Sequence, residues 1–255
     1  MLKTVLVDFS ITGEDMATIH FILQGKGGVG KSMIAALLCQ GLAALGHDVR
    51  GYDTDPVNAT FAAYREFNVS SIDIMRGEDI DKRSFDTLLN ELAETPDGVH
   101  AIVDNGASSF IALGAYLAEY DILNGLQEMG HRIFFHSVVV GGQALGDTVQ
   151  GLSKLLRNFP DIPIVAWLNP YFGEIRMNGT PFEEFKIYQE NRERFRALVY
   201  LPETDKDTLG RDLANLYAGH RSFAAGMKEA AFSEKIRLRR YWEQFLASFG
   251  KIAWN

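Results

Sequence analysis

Cysteine is almost missing from these 255 residues: Cys39 stands alone. A single thiol cannot close an intramolecular disulfide, so a disulfide-built secreted scaffold is excluded and Cys39 reads as a small core side chain. Proline is scarce at 7 residues and the 24 glycines follow no period, which removes the collagen-like and proline-rich disordered classes. No apolar run reaches the ~18 residues that cross a bilayer. The densest, Ile133 to Val140, is broken by His136 and closed by Gly141 and Gly142. A secretory h-region is lacking as well, since Asp8, Glu14 and Asp15 follow the first apolar residues too soon, and a cytoplasmic location is expected. Positive charge is in deficit: 25 Lys and Arg against 33 Asp and Glu give −8. That field repels phosphate, so any contact with nucleic acid or anionic lipid needs a local basic patch. Nor do the histidines (His20, His47, His100, His131, His136 and His220) have zinc-site spacing.

What is present is an alternation of strand-like apolar runs with helical patterns, which predicts an α/β fold: a doubly wound, mostly parallel sheet flanked by helices. Strands are expected near 18–24, 49–53, 99–104, 133–140, 162–168 and 197–201. Lys31–Leu45 carries helical periodicity and stops at Gly46, a good residue to follow a helix end. Thr180-Pro181-Phe182-Glu183 has the form of a capping box with proline at the first helical position, predicting a helix to about Arg196. A long amphipathic helix closes the chain, with Leu238, Tyr241, Trp242, Phe245, Phe249 and Ile252 on one face. No repeat or linker divides the chain, so 16–255 is expected to be one domain. Two basic clusters occur: Lys186, Arg192, Arg194 and Arg196 on one expected helix, and Lys235, Arg237, Arg239 and Arg240 on the last. Neighbouring acids favour a solvated face for both.

The strongest signal is Gly25-Lys26-Gly27-Gly28-Val29-Gly30-Lys31-Ser32, after a strand and opening a helix. It fits G-x-x-x-x-G-K-[ST], a loop whose backbone N–H groups converge on phosphates while the helix adds its positive end. Lys31 would neutralise the β- and γ-phosphates, and Ser32 would offer its hydroxyl directly to Mg²⁺. Asp53 and Asp104 end apolar strands, where carboxylates point into the ligand crevice of such a sheet. Asp104 reads as the acid that holds the magnesium shell through water.

Lys26 is not required by a generic phosphate loop, and Gly-Lys-Gly-Gly-Val-Gly-Lys-Ser resembles the deviant Walker A motif of the ParA/MinD family of ATPases. The resemblance implies an ATP-bridged homodimer in which Lys26 serves the partner's nucleotide. It places Gly25 through Ser32 and Met33 on the cofactor. In Asp53-Thr54-Asp55-Pro56 it makes Asp55 the residue that orients the attacking water, with Asp53 on Mg²⁺ through its water shell. A plain turn started by Asp55-Pro56 is the alternative. Asn169 would read the purine edge and Pro202 would pack against the base, unless Pro202 merely ends a strand. Asn105-Gly106-Ala107 and the short segment after Asp55 depart from the family pattern.

Those departures narrow the resemblance. Asp53 to Phe61, Asp104 to Phe110, Gly141-Gly142-Gln143-Ala144-Leu145 and Trp167-Leu168-Asn169-Pro170-Tyr171 are together similar to the TraL-type proteins of plasmid conjugation, from about Met16 onward. Residues 1–15 are therefore expected to be an extension with little structure. The implied function is a slowly hydrolysing, ATP-dependent dimerisation switch acting on a conjugation-machinery protein or DNA, with a membrane role for the tail helix unfavoured. A P-loop small-molecule kinase or synthetase and a non-hydrolysing nucleotide-binding scaffold are the alternatives.

Overall fold

The computed structural model describes residues 16–254 apart from Pro56, Gly77 and Glu78. The expected extension over 1–15 lies outside the described residues. In chain order the elements are β1 (Thr18–Ile22), α1 (Lys31–Ala44), β2 (Val49–Asp53), β3 (Ser70–Ser71), β4 (Met75–Arg76), β5 (Asp79–Ile80), α2 (Ser84–Ala93) and β6 (His100–Asp104). There follow α3 (Phe110–Glu119), α4 (Ile122–Glu128), β7 (Arg132–Val140), α5 (Leu145–Asn158), β8 (Ile164–Asn169), β9 (Arg176–Met177) and β10 (Thr180–Pro181). The chain ends with α6 (Lys186–Gln189), β11 (Phe195–Tyr200), α7 (Leu209–Ala218), α8 (Phe223–Glu229) and α9 (Phe232–Phe249).

Seven strands form a parallel sheet in the order β11-β8-β7-β1-β6-β2-β3. β1, β6 and β8 are buried along their whole length, and β7 from its second residue on. Strands covered on both faces read as continuous apolar runs, which is why all four were visible as such in the sequence. The connections leave β1 toward β2 and β6 on one side and reach β7, β8 and β11 on the other. β1 is thus the topological switch point, where ligand crevices open beyond the carboxyl ends of the strands.

Helices cover both faces. On one, Phe21, Phe135 and Ala166 of the sheet pack with Leu88 of α2, Leu113 of α3, Leu126 of α4 and Leu152 of α5. On the other, Ile22, Val138 and Trp167 pack with Leu38 of α1, Leu216 of α7, Phe223 of α8 and Phe245 and Phe249 of α9. The apolar stripe of α9 is therefore core cover: Leu238, Tyr241, Phe245 and Phe249 are buried and Trp242 packs partly buried beside them. No helix among the described residues is long and apolar enough to cross a membrane.

The helix expected from Thr180 to Arg196 does not form. Thr180 pairs with Met177 in a β9-β10 hairpin, residues 182–184 make a 3-10 turn, and Phe185 is extended before the four-residue α6. The local cap signal loses to aromatic burial. Phe182 and Phe185 are both buried, and Phe182, Tyr188 and Phe195 stack around one another, an arrangement one straight helix cannot make. Consequently Lys186, Arg192, Arg194 and Arg196 do not share a helix; Arg194 instead donates to the Phe159 and Ile162 carbonyls at 2.7 Å each.

Candidate functional site

The loop between β1 and α1 turns through two left-handed positions, Gly28 (φ 73°) and Gly30 (φ 101°), which a side chain would strain. Lys31 follows as the first residue of α1. Only 8% exposed, its Nζ reaches back to the Lys26 carbonyl at 3.4 Å. Burial pushes its ammonium below the ordinary lysine pKa, while Asp104 and Asp55 hold the charge in place. The loop's base is anchored by Gln24, fully buried, whose Nε2 donates to the Val138 carbonyl at 2.9 Å and the Thr148 carbonyl at 3.1 Å. The sequence reading missed Gln24; a buried polar residue bonded to elements more than a hundred positions away leaves no periodic signal.

The carboxylates divide by environment. Asp104, at the end of β6, is buried with neither oxygen in a well-formed hydrogen bond. Burial drives its pKa up to about 7, partly countered by the nearby Ser32 hydroxyl and the Lys31 charge and raised further by Asp53. An orphaned carboxylate beside a hydroxyl and a lysine is a costly arrangement without a ligand. Its two free oxygens suit the water shell of a divalent cation, with Ser32 as direct ligand, so the residues present fit Mg²⁺ with a triphosphate.

Asp53 is held by the backbone that follows it. Its Oδ1 accepts from Asp55 N and its Oδ2 from Ala62 N, both at 2.9 Å, so this buried carboxylate shapes the segment after β2. Burial raises its pKa and those backbone bonds oppose the rise. Asp55 Oδ1 accepts from Val57 N at 2.9 Å and Asn58 N at 3.1 Å, and the turn it caps leaves Oδ2 outside those bonds. Gly106 lies so close that a Cβ there would stand 2.8 Å from Asp55 Cγ. The glycine that departs from the family pattern is thus what lets Asp55 sit where it does. Thr54 ties the two segments together through the Asp104 carbonyl and Asn105 Oδ1, each at 3.1 Å.

Lys26 is exposed and its Nζ pairs with Asp147 Oδ2 of α5 at 2.8 Å. Gly25 packs against Phe110 and Gly27 faces Ala107. On the opposite side of the loop Gly28, Val29, Gly30, Met33, Asn169 and Pro202 line one cavity of about 430 Å³, within the range of small-molecule sites. Asn169 donates to the Val29 carbonyl at 3.2 Å and accepts from Tyr171 N at 3.1 Å, which fixes its amide at the cavity wall. Three stretches far apart in the chain therefore meet where a base would follow the phosphates.

Comparison with known proteins agrees with this geometry. Residues 20–221 match the model of the "CobQ/CobB/MinD/ParA nucleotide binding domain". Two proteins of Escherichia coli named "Protein TraL" are 45% and 44% identical over 225 residues, spanning 88% of this chain and 92% of each relative. Among solved structures, the MinD cell division protein of Aquifex aeolicus shares the fold, with a TM-score of 0.51 at 14% identity, over 90% of this chain and 97% of that one. The MinC:MinD cell division protein complex of the same organism gives 0.50 at 14%, over 90% and 96%. By the span of the family model and by identity to these relatives, the chain belongs to the CobQ/CobB/MinD/ParA nucleotide-binding family, as a TraL-like member.

Proposed function

We propose that this protein is an ATP- and Mg²⁺-dependent dimerisation switch with slow ATP hydrolysis, working in the cytoplasm in plasmid conjugative transfer. The observation that carries the reading is the buried Lys31 and Asp104 beside the half-buried Ser32 at the glycine loop, with the Asp104 oxygens outside any well-formed hydrogen bond. Lys31 neutralises phosphate charge, Ser32 supplies a metal ligand and Asp104 accepts from the metal's water shell. Mg²⁺, when bound, offsets the charge on the β- and γ-oxygens. Asp55 orients the attacking water through the oxygen left free by its turn, and Asp53 holds that segment in register. Lys26 stands exposed and, once released from Asp147, reaches a second subunit's nucleotide. Kinship with the two TraL proteins supports the conjugation role, with a transfer-machinery protein or DNA as partner.

Light scattering without nucleotide, with ADP and with ATP·Mg²⁺, alongside phosphate release, tests this. A monomer that dimerises only with ATP and releases phosphate slowly is the expected result. Lys26→Ala should bind ATP yet stay monomeric. ATP binding without dimerisation in the unaltered protein overturns the switch.

A further inference from the structure

Gly141-Gly142 is in contact with the segment that directly follows Asn169-Pro170-Tyr171. A Cβ on Gly141 would fall 2.1 Å from the Gly173 carbonyl oxygen and 2.4 Å from that of Glu174, and one on Gly142 would fall 2.6 Å from the Phe172 carbonyl oxygen. The backbone of 172–174 is therefore seated directly on the glycine pair, with no room for a side chain between them. Asn169 Oδ1 receives Tyr171 N at 3.1 Å, and Gly173 N closes the turn on the Pro170 carbonyl at 2.9 Å. Gly173, at φ 130°, ends it. The loop is pinned at both ends.

What the pinned loop displays is two adjacent large rings at the rim of the cavity beside the phosphate loop. Tyr171 is 59% exposed and Phe172 48%, and both line that cavity. Their rings meet edge to face at 5.0 Å. Covering this aromatic surface with a flat ring is favourable, both by apolar burial and by stacking. The cavity's other walls include Val29 of the phosphate loop, Met33 of α1, and Leu201 and Pro202 beyond β11. Tyr171, Phe172 and Pro202 thus line the same cavity.

We propose that Tyr171 and Phe172 form an aromatic wall for the purine of the nucleotide, one ring lying flat on the base and the other, perpendicular to it, bracing the first edge to face. This rests on the reading of Gly25–Ser32 as the triphosphate site. Asn169 contacts the base edge and carries its identity; the wall supplies affinity without identity, because every base has a π-face.

Calorimetric titration with ATP·Mg²⁺ and with Mg²⁺ tripolyphosphate, which has phosphates but no base, separates the two contributions. Both rings are surface groups, so Tyr171→Ala/Phe172→Ala should fold, and an unchanged melting temperature checks that. The double variant should weaken ATP about 5- to 150-fold, the equivalent of about 1–3 kcal/mol of stacking. Tripolyphosphate binding should stay within about twofold of the unaltered protein, and Phe172→Trp should keep ATP affinity. Unchanged ATP affinity in the double variant overturns the wall, as does an equal loss for tripolyphosphate. Lys31→Ala tests the underlying reading separately: it should lose both ligands, and ATP binding at full strength in that variant overturns the phosphate site and the wall with it.

Discussion

Asp55 and Gly106 show how a single methyl group governs the position of a carboxylate. At Gly106 a Cβ would meet Asp55 Cγ at 2.8 Å, Oδ1 at 2.9 Å and the backbone Cα at 3.1 Å, so the aspartate's own main chain would have to move. Gly106 is not held in a left-handed conformation, so alanine there acts through contact alone. Gly106→Ala should therefore leave ATP affinity near that of the unaltered protein. Phosphate release should fall about 100-fold, the scale of loss for a displacement near 1 Å at a positioned group. Stopped-flow phosphate detection beside a binding titration checks it, and equal losses in both would place Gly106 in binding instead. The contrast with Lys31 is instructive about what a sequence displays. The phosphate loop was legible because its requirements are local: two left-handed glycines, a lysine and a hydroxyl within eight residues. Gly106 was visible only as a departure, since the contact that explains it spans two separate strand ends.

Elements extend the same lesson. β1, β6, β7 and β8 were legible because their apolar runs are continuous and almost wholly buried, and the first and last helices because their apolar residues recur at helical spacing; β2 and β11, only partly buried, were placed by the alternation of elements around them. The capping box at Thr180 misled because it is an equally local signal. The aromatic packing that overrode it joins Phe182, Phe185, Tyr188 and Phe195 across a 3-10 turn, the short α6 and a strand. Contact between α1 and α9 is of this long-range kind. A Cβ on Gly41 would fall 2.6 Å from Phe249 Cε1, so the last turn of α9 fits a notch in α1 that only glycine leaves. Gly41→Ala should cost about 1–3 kcal/mol by overpacking, although alanine is the better helix former. Phe249→Ala should cost about 3–5 kcal/mol. Urea denaturation measures both; a stabilised Gly41→Ala would mean that the ring moves aside freely. Between the phosphate loop and α5, the Lys26–Asp147 pair is exposed on both sides. Asp147→Asn should shift stability by less than about 1 kcal/mol, so a change in its ATP-driven dimerisation would report on release of Lys26 rather than on folding.

The whole molecule carries buried ionisable groups that pull stability in opposite directions with pH. His136, His20 and His100 lie on neighbouring strands β7, β1 and β6 and form one directed chain. Trp167 Nε1 donates to His136 Nδ1 at 2.9 Å, and the indole can only donate. His136 must then carry its proton on Nε2 and give it to His20 Nδ1 at 2.9 Å, and His20 Nε2 likewise gives to His100 Nδ1 at 2.9 Å. All three rings are neutral in this arrangement, and Trp254 packs its ring against His20 and His136. Burial lowers all three, His136 to about 3 and His100 to about 4, with His136 and His100 adding to the effect on His20. Between those values and 6.5 the unfolded chain binds protons that the folded chain refuses, so stability rises with pH across that window. Asp104 and Asp53 act oppositely. Raised by burial, Asp104 to about 7, they keep protons in the folded state that the unfolded chain has released, and stability falls as pH climbs toward 7. Between pH 5 and 6 the unfolded histidines are mostly protonated, and three of them outweigh the two carboxylates, so the histidine side prevails there. Urea midpoints should therefore increase from pH 5 to pH 6. In Asp104→Asn one opposing group is gone, so the increase should steepen, while ATP·Mg²⁺ affinity should drop because the amide brings no charge to the metal's water shell. A flat or falling midpoint in the unaltered protein would show that the histidine chain takes up protons without unfolding. An Asp104→Asn profile parallel to that of the unaltered protein would show that Asp104 stays ionised in its buried position.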